Sequence, residues 1–169
     1  MKDKEHIIGI KNKVEKSFDI IYNKYHKLVG YVIFTIVKNK QDTEDLIQDT
    51  FIKMYESIDD FSMRDNFKYW LLQIAKNKAK DFLKKKKVII NSDYIHSISD
   101  EKEAYEDFDS ILDKYKKVIN EEEYLIITLH LFHKMKFREI AVLYEKTTSS
   151  VNNIYARGIK KIKEYLKND

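Results

Sequence analysis

Hydrophobic side chains recur every three or four residues along most of the chain, which is the spacing of one face of an α-helix. A first apolar stripe predicts a helix over residues 14–37, and a polar break at residues 38–41 follows it. Asp42 or Thr43 can cap a second helix, with acids in its first turn. The first stripe consists of Val14, Phe18, Ile21, Tyr25, Leu28, Val32 and Ile36, and the second of Ile47, Phe51, Met54 or Tyr55, and Ile58.

The period is lost in residues 58–66, which predicts a loop, and it returns at Phe67 for a third helix that continues to Phe82. Trp70 stands where a large apolar anchor would pack on the first two helices. The outer face of this helix carries polar side chains: Lys76, Asn77, Lys80, Asp81 and Lys84.

Residues 88–108 lose the helical period, contain three serines and turn acidic, which predicts a linker. A short helix is predicted over residues 109–119. The apolar run at residues 124–132 fits a buried strand or a helix, and we favour a helix because Asn120 and Glu123 form a capping-box pattern before it. A short helix over residues 137–144, a turn at 145–148 and a last helix to residue 167, capped by Thr148 or Ser149, complete the chain.

The composition supports an all-α fold, with two helical domains at residues 1–87 and 109–169 joined by a flexible acidic linker. The 169 residues include no proline and three glycines, which disfavours sheets with tight hairpins. The alternative is a single domain in which residues 88–108 form a surface loop. The chain has no cysteine, so disulfides and thiol chemistry are excluded. No apolar run is long enough to span a membrane and no signal peptide is visible, so a cytoplasmic location is expected.

The charge is unevenly distributed around a modest net value of +4. Residues 76–87 hold seven lysines and one aspartate, and residues 157–167 hold five basic residues and one glutamate. Between them, residues 99–109 hold six acids and one lysine. Basic segments of this kind fit a polyanion such as nucleic acid, although a solvated, solubilising face is the alternative.

The last two helices have the spacing of a helix-turn-helix, in which the second helix carries polar and basic side chains outward. Serine, asparagine and arginine side chains can contact base edges, and lysines neutralise phosphates. The predicted DNA-facing residues are Thr148, Ser149, Ser150, Asn152, Asn153, Arg157, Lys160 and Lys161.

The stretch DTEDLIQDTF at residues 42–51 concentrates carboxylates and amides on a predicted helix. Asp45, Gln48 and Asp49 fall at i, i+3 and i+4, so they share a face opposite the apolar stripe. Such a row of acceptors can pair with arginines of a partner protein. A plain solvated face is one alternative. A divalent metal site is another, but it needs further ligands from other elements, so no metal or cofactor is expected.

Two stretches resemble bacterial RNA polymerase sigma factors of the sigma-70 family, extracytoplasmic-function (ECF) type, which keep regions 2 and 4 only. DTEDLIQDTFIKMY, followed by FKYWLLQIAKNKAKDFLKKK, is similar to region 2, and NEEEYLIITLHLFHKMKFREIAVLY is similar to the beginning of region 4. The resemblance implies core polymerase, promoter DNA and an anti-sigma factor as partners, and no enzymatic activity. The core contacts would be the coiled coil of the largest subunit and the flap of the second-largest subunit.

The resemblance also implies a role for each polar surface. The first would bind the polymerase core through Asp42, Glu44, Asp45, Gln48, Asp49 and Glu56. The −10 element would be opened and contacted by Ser62, Arg64, Asn66, Lys76, Asn77, Lys80 and Lys84. The last helix would contact the −35 element through the DNA-facing residues given above.

Some positions depart from the family pattern. Glu145 and Lys146 occupy the turn where family members carry glycine and an apolar residue, which predicts looser packing of the hairpin. Gly158 lies inside the last predicted helix, where glycine costs about 1 kcal/mol relative to alanine. His130 and His133 are three residues apart and are interpreted as a helix-face pair rather than as metal ligands. A DNA-binding regulator that acts without polymerase and a helical adaptor without a DNA role are the competing hypotheses.

Overall fold

The computed structural model describes residues 2–90 and 112–168, and all regular structure in these residues is helical. They form two compact units, one on either side of residues 91–111. The all-α prediction is confirmed. The last helix of the first unit extends to Ile90, past the predicted boundary at residue 87. The rest of the predicted linker, residues 91–108, lies outside the described residues.

In residues 2–90, the first unit contains four α-helices and a 3₁₀ turn. The helices are α1 (Lys2–Lys11), α2 (Glu15–Val37), α3 (Lys40–Glu56) and α4 (Phe67–Ile90), and the 3₁₀ turn spans Ile58–Asp60. The predictions for α2, α3 and α4 are confirmed, whereas α1 lies outside the elements that periodicity predicted. Packing is centred on α2, which contacts the other three helices.

The core of this unit comes from the predicted stripes. Ile21, Phe51, Met54 and Leu71 have at most 1% of their surface exposed. Burial of each such side chain contributes roughly 1.5–3 kcal/mol. Met54 rather than Tyr55 faces inward, since Tyr55 is 44% exposed. Trp70 is only half-buried. It packs in an aromatic cluster with Phe61 and Phe67, with its ring centroid 5.0 Å and 5.8 Å from theirs.

The cap of α3 differs from the prediction. Asn39 has extended backbone angles, and its side chain accepts a hydrogen bond of 2.8 Å from the backbone N–H of Asp42. Asp42 and Thr43 therefore lie inside the first turn. The Thr43 hydroxyl donates back to the Asn39 carbonyl at 2.7 Å instead of capping. The break between α2 and α3 is thus shorter than the polar stretch that marked it, because Lys38 turns the chain with a φ of 55°.

The second unit begins with a 3₁₀ turn at Asp113–Tyr115, and α5 (Glu121–Ile127) follows. The predicted helix over 109–119 is therefore wrong for the described residues 112–119, which form only this turn and irregular backbone. The preference for helix over strand in residues 124–132 is confirmed: α5 continues into a π-helical turn at Thr128–Phe132. Its predicted capping box is present, with Asn120 and Glu123 bonded reciprocally at 2.8 Å and 3.0 Å.

The helix-turn-helix consists of α6 (Phe137–Leu143) and α7 (Thr148–Asn168). Glu145 adopts a left-handed φ of 56° at the turn, the conformation that a glycine would adopt without strain. Lys146 donates its backbone N–H to Ala141 O at 2.8 Å, and its side chain pairs with Glu122 at 2.7 Å. Lys146 thus closes the turn by polar contacts and does not plug the core, which Ile140, Leu143 and Val151 fill without it.

The cap of α7 also lies one position earlier than predicted. The Thr147 hydroxyl accepts a hydrogen bond of 3.1 Å from the backbone N–H of Ser150. Thr148 and Ser149 therefore begin the helix, and both are exposed.

Candidate functional site

The outer face of α3 carries the carboxylates and amide that its sequence pattern predicted there. Asp45, Gln48 and Asp49 are exposed, while Leu46 and Ile47 are buried against the rest of the unit. Glu44 and Glu56 are exposed as well. The helical phase deduced from the sequence is therefore correct, and the acceptors are available to a partner.

Two apolar side chains on α3, Ile52 and Tyr55, are exposed, although the sequence pattern did not predict this. Ile52 is 57% exposed and lies one helical turn beyond Gln48 and Asp49, and Tyr55 is 44% exposed. Tyr55 packs edge-on against Phe18 of α2 at 6.0 Å between ring centroids. Ile52 therefore adds exposed apolar area beside the acidic face of α3.

Asp42 differs from the other acids of the predicted docking face. Its carboxylate lies 2.9 Å from the Lys86 ammonium of α4, and its side chain is 23% exposed. It is thus engaged within its own unit. The pair joins the first turn of α3 to the basic end of α4.

The outward orientation predicted for the polar residues of α4 is correct in part. Asn77, Lys80 and Lys84 are exposed, and so is Asp81. Lys76, in contrast, is only 5% exposed, so its assignment to the outer face is wrong. The reason is that α4 packs on both α2 and α3, which makes its buried stripe wider than one row of side chains and includes Lys76 beside Leu72 and Ala79.

The loop before α4 presents its polar residues to solvent. Ser62, Arg64 and Asn66 are exposed, while Phe61, immediately before them, is 4% exposed. Asn66 also supports α4, because its side-chain oxygen accepts a hydrogen bond of 3.3 Å from the backbone N–H of Tyr69. The loop therefore begins at a buried residue, Phe61, and continues with exposed polar residues.

On α7 the exposed polar residues form the face predicted for DNA. Thr148, Ser149, Asn152, Asn153 and Lys160 are exposed, and Ser150 is half-buried. Lys163 is also exposed and continues the row one turn beyond Lys160, although it was not among the predicted residues. Its position at i+3 from Lys160 was the signal for it. Leu166, near the end of α7, is 55% exposed.

Arg157 and Lys161 lie on the other edge of α7 and bind a buried carboxylate. Glu123 of α5 is fully buried, and it accepts hydrogen bonds from Arg157 Nε at 2.6 Å and Lys161 Nζ at 2.9 Å. Burial raises the pKa of Glu123, but these two cations and the Asn120 N–H outweigh burial and hold the pKa below its usual range. Both side chains therefore hold α7 on α5, although their predicted role was contact with DNA.

Gly158 provides the space for this packing. A Cβ added at this position would lie 2.8 Å from Ile127 Cδ1 and 3.1 Å from Glu123 Cβ. The glycine that looked like a weak point of α7 therefore allows the close approach of α7 to α5.

His130 and His133 do not come together with other metal ligands. His130 Nδ1 lies 2.8 Å from Met135 O, and its ring stacks on Phe137 at 4.2 Å. In the described parts of the chain, no three histidine, aspartate or glutamate side chains are grouped as a metal site would require. None of the helices described has the length and apolar character needed to cross a bilayer.

Comparison with known proteins shows similarity to sigma factors. The protein-family model of Sigma-70 region 2 matches residues 21–88. This segment includes the outer face of α3 and the lysines of α4. The chain is 37% identical over 76 residues to the ECF RNA polymerase sigma factor SigX of Bacillus subtilis, covering 45% of this chain and 39% of SigX. It is 24% identical to SigM of the same organism over 153 residues, covering 87% of this chain and 93% of SigM.

Residues 21–88 thus resemble Sigma-70 region 2, and the relatives that the chain matches are ECF sigma factors.

Solved structures agree with this fold assignment. The sigma factor RpoE in complex with the anti-sigma factor NepR, from Bartonella quintana, has a TM-score of 0.60 at 22% identity, covering 91% of this chain and 99% of that one. CnrH in complex with the cytosolic domain of CnrY has a TM-score of 0.59 at 16% identity, covering 99% and 98%. The region 2 match ends at residue 88, so α7 lies outside it, within the longer similarity to SigM.

Proposed function

We propose that the chain is an alternative sigma factor, which binds core RNA polymerase and directs initiation at promoters with −10 and −35 elements. The observation that carries this proposal is the outer face of α3. Its exposed acids and amide lie opposite the helix's buried stripe, within the segment that matches region 2. The proposal includes no catalytic activity.

The polymerase contact rests on Asp45, Gln48 and Asp49, with Glu44 and Glu56 at its edges. Carboxylates accept two parallel hydrogen bonds from an arginine, so an arginine-bearing coiled coil of the largest subunit is a fitting partner. Ile52 supplies apolar area at the centre of the face, where water is best excluded. The partner therefore needs both basic side chains and an apolar contact point.

The −10 contact is assigned to the loop at residues 61–66 and to the exposed side of α4. Lys80 and Lys84 neutralise phosphates, and Asn77 lies among them as the candidate for a base contact. Ser62, Arg64 and Asn66 surround the open tip of the loop. Extrusion of a base costs a few kcal/mol, so the loop must return this energy by stacking and hydrogen bonds.

The −35 contact is assigned to the exposed edge of α7, which begins at Ser149 and includes Asn152, Asn153, Lys160 and Lys163. Arg157 and Lys161 are left out of this set because Glu123 holds them. The loss is limited, since the side chains that can contact base edges lie at the beginning of the helix, as in other helix-turn-helix proteins.

An anti-sigma factor is included as a regulatory partner. Two proteins of similar fold have been solved in complexes, RpoE with the anti-sigma factor NepR and CnrH with the cytosolic domain of CnrY. We place this chain in the cytoplasm, where polymerase is found. A protein that covers Ile52 and the α3 acids would block polymerase binding by direct competition.

Run-off transcription with purified core polymerase tests the proposal. Initiation from specific sites on genomic fragments is expected. DNA binding without initiation would instead favour a regulator that acts without polymerase, and the absence of both would favour a helical adaptor.

A charge-reversal pair tests the docking face directly. Asp45→Arg with Asp49→Arg should reduce core affinity by at least about tenfold, since like charges replace complementary ones. Glu15→Arg with Asp19→Arg is the matched control, because both acids are exposed on α2 with the same i, i+4 spacing. Equal core binding by the two double variants, with the folds intact by circular dichroism, would refute the assignment.

A further inference from the structure

Lys11, the last residue of α1, connects this helix to the beginning of the loop before α4. Its ammonium donates hydrogen bonds to the backbone carbonyls of Asp59 at 3.1 Å and Phe61 at 3.0 Å. Asp59 lies within the 3₁₀ turn, and Phe61 is the residue at which the turn ends. A lysine near the end of a helical turn can satisfy the last carbonyls, which have no partner within the turn.

The helix that carries Lys11 is itself held in place. Ile7 and Ile10 are each 2% exposed, and Asp3 at the other end of α1 pairs with Lys24 and accepts a hydrogen bond of 2.6 Å from the Tyr25 hydroxyl. Both partners belong to α2. Because α1 is packed in place, the Lys11 hydrogen bonds fix the two carbonyls relative to this helix.

The loop before α4 is anchored at its first residue, Phe61, and is exposed beyond it. The Phe61 ring lies 5.5 Å from the Phe67 ring and 5.0 Å from the Trp70 ring, so the chain leaves the core at this residue. The residues that follow, Ser62, Arg64, Asp65 and Asn66, are exposed. The direction in which they leave depends on the two peptide groups that Lys11 binds.

We propose that Lys11 is a positioning residue for promoter recognition, which sets the geometry of the loop at residues 61–66 without contacting DNA itself. This inference rests on the proposed function, in which that loop contacts the −10 element. Loss of the ammonium leaves both carbonyls to water and frees the loop to rotate about Phe61. A base contact depends on geometry, whereas a phosphate contact depends mainly on charge, so the loss should appear in base preference.

The test uses holoenzyme reconstituted with Lys11→Met, with Lys11→Arg, and with Lys4→Met as a control. Lys4 is an exposed lysine of the same helix, so its replacement removes the same charge. Holoenzyme selects from a random single-stranded DNA pool, and sequencing gives the preference at each position. Lys11→Met should lower the preference at a −10 position by about tenfold, the discrimination that one base contact provides. Lys11→Arg should retain it, and Lys4→Met should leave it unchanged.

Other outcomes would overturn the inference. An unchanged preference would show that Lys11 does not position the loop. Uniform weakening of all sequences, with a salt dependence reduced by about one phosphate contact, would show that Lys11 binds DNA directly.

A second measurement separates this inference from the proposed function. Hydrogen exchange of the free chain should be faster by about tenfold at the Phe61 and Asp65 amides in Lys11→Met, since both amides are hydrogen-bonded at the loop's base and tip. Unchanged exchange would overturn the positioning role even if wild-type holoenzyme selects DNA. Faster exchange in the variant, together with a wild-type chain that selects no sequence, would leave the positioning of the loop correct and the proposed function wrong.

Discussion

The Glu123 side chain makes three polar contacts in the second unit, with Asn120, Arg157 and Lys161. It is fully buried, completes the capping box of α5 and binds two cations of α7. A buried carboxylate is costly unless it is paired and hydrogen-bonded. Arg157, Lys161 and the Asn120 N–H provide these contacts for Glu123. The same residue explains why Arg157 and Lys161, which remain partly exposed, are engaged within the protein.

Glu123→Gln should destabilise the second unit by about 2–3 kcal/mol. The amide keeps the shape but loses the charge that Arg157 and Lys161 require, and breaking a buried pair costs about 3–5 kcal/mol when both partners are desolvated. The figure is lower here because the two cations are 54% and 38% exposed. Urea unfolding measures it. Glu122→Gln, which removes only the more exposed pair with Lys146, should cost less than about 1 kcal/mol.

The pH dependence of stability follows from the same carboxylate. Because the pKa of Glu123 in the folded protein lies below its ordinary value, the unfolded chain binds the proton more readily. Its contribution is complete above the ordinary glutamate pKa of about 4.3 and is lost as the pH falls through the lowered folded value. Thermal unfolding from pH 7 to pH 3 should show this loss in the wild type. A similar slope in Glu123→Gln would contradict it.

At the scale of the helix, sequence predicted which face of each helix is buried better than it predicted where each helix begins. Most of the buried stripes and the outward Asp45 and Asp49 were predicted correctly, because a period of 3.6 residues is set by local geometry. Val14, the first residue of the predicted α2 stripe, lies before the helix and is 48% exposed. The caps were shifted to Asn39 and Thr147, since several neighbouring polar residues can each act as a cap. Lys76 was misplaced because the width of a buried stripe depends on how many helices pack against it.

Gly158→Ala should reverse the effect expected from helix propensity. Alanine is favoured by about 1 kcal/mol in an isolated helix. In the second unit its Cβ would meet Ile127 Cδ1 at 2.8 Å, so the variant should be destabilised by about 1–3 kcal/mol. Thermal unfolding measures the change. Adding Ile127→Val, which removes that Cδ1 atom, should recover part of the loss, and a Gly158→Ala variant more stable than wild type would refute the packing argument.

The two lysines at 160 and 161 should separate DNA binding from stability. Lys160 is 76% exposed, whereas Lys161 binds Glu123. Lys160→Ala should weaken DNA binding equally for all sequences and reduce the salt slope by about one, with little change in stability. Lys161→Ala should mainly lower the midpoint of unfolding. Filter binding at several salt concentrations, together with urea unfolding, checks both.

At the scale of the whole molecule, each unit has a hydrophobic core of its own. Ile21, Phe51 and Leu71 are buried in the first, and Leu129, Met135 and Ile140 in the second. The proposed polymerase-binding and −35 surfaces are thereby built on separate cores. The face of α3 and the lysines of α4 belong to one unit, and the helix-turn-helix belongs to the other.

A fragment of residues 1–108 should therefore fold alone and bind core polymerase with an affinity within about threefold of the full chain, because the whole α3 face lies within it. Circular dichroism and a competition assay against the full chain measure this. The same fragment with Asp45→Arg and Asp49→Arg is the control. A folded fragment that fails to compete would place essential polymerase contacts in the second unit.

The sequence by itself determined the helical fold, the outward carboxylates of α3, the capping box of α5 and the family resemblance. All of these depend on short-range periodicity and on motifs that are contiguous in the chain. Only the tertiary structure showed which basic side chains of α7 face solvent. It also showed that Gly158 allows α7 to approach α5 closely, and that Lys11 binds the carbonyls of Asp59 and Phe61. Each of these involves residues more than thirty positions apart, Lys11 with Phe61 or Glu123 with Arg157. Such contacts form only when helices pack, and no local period records them.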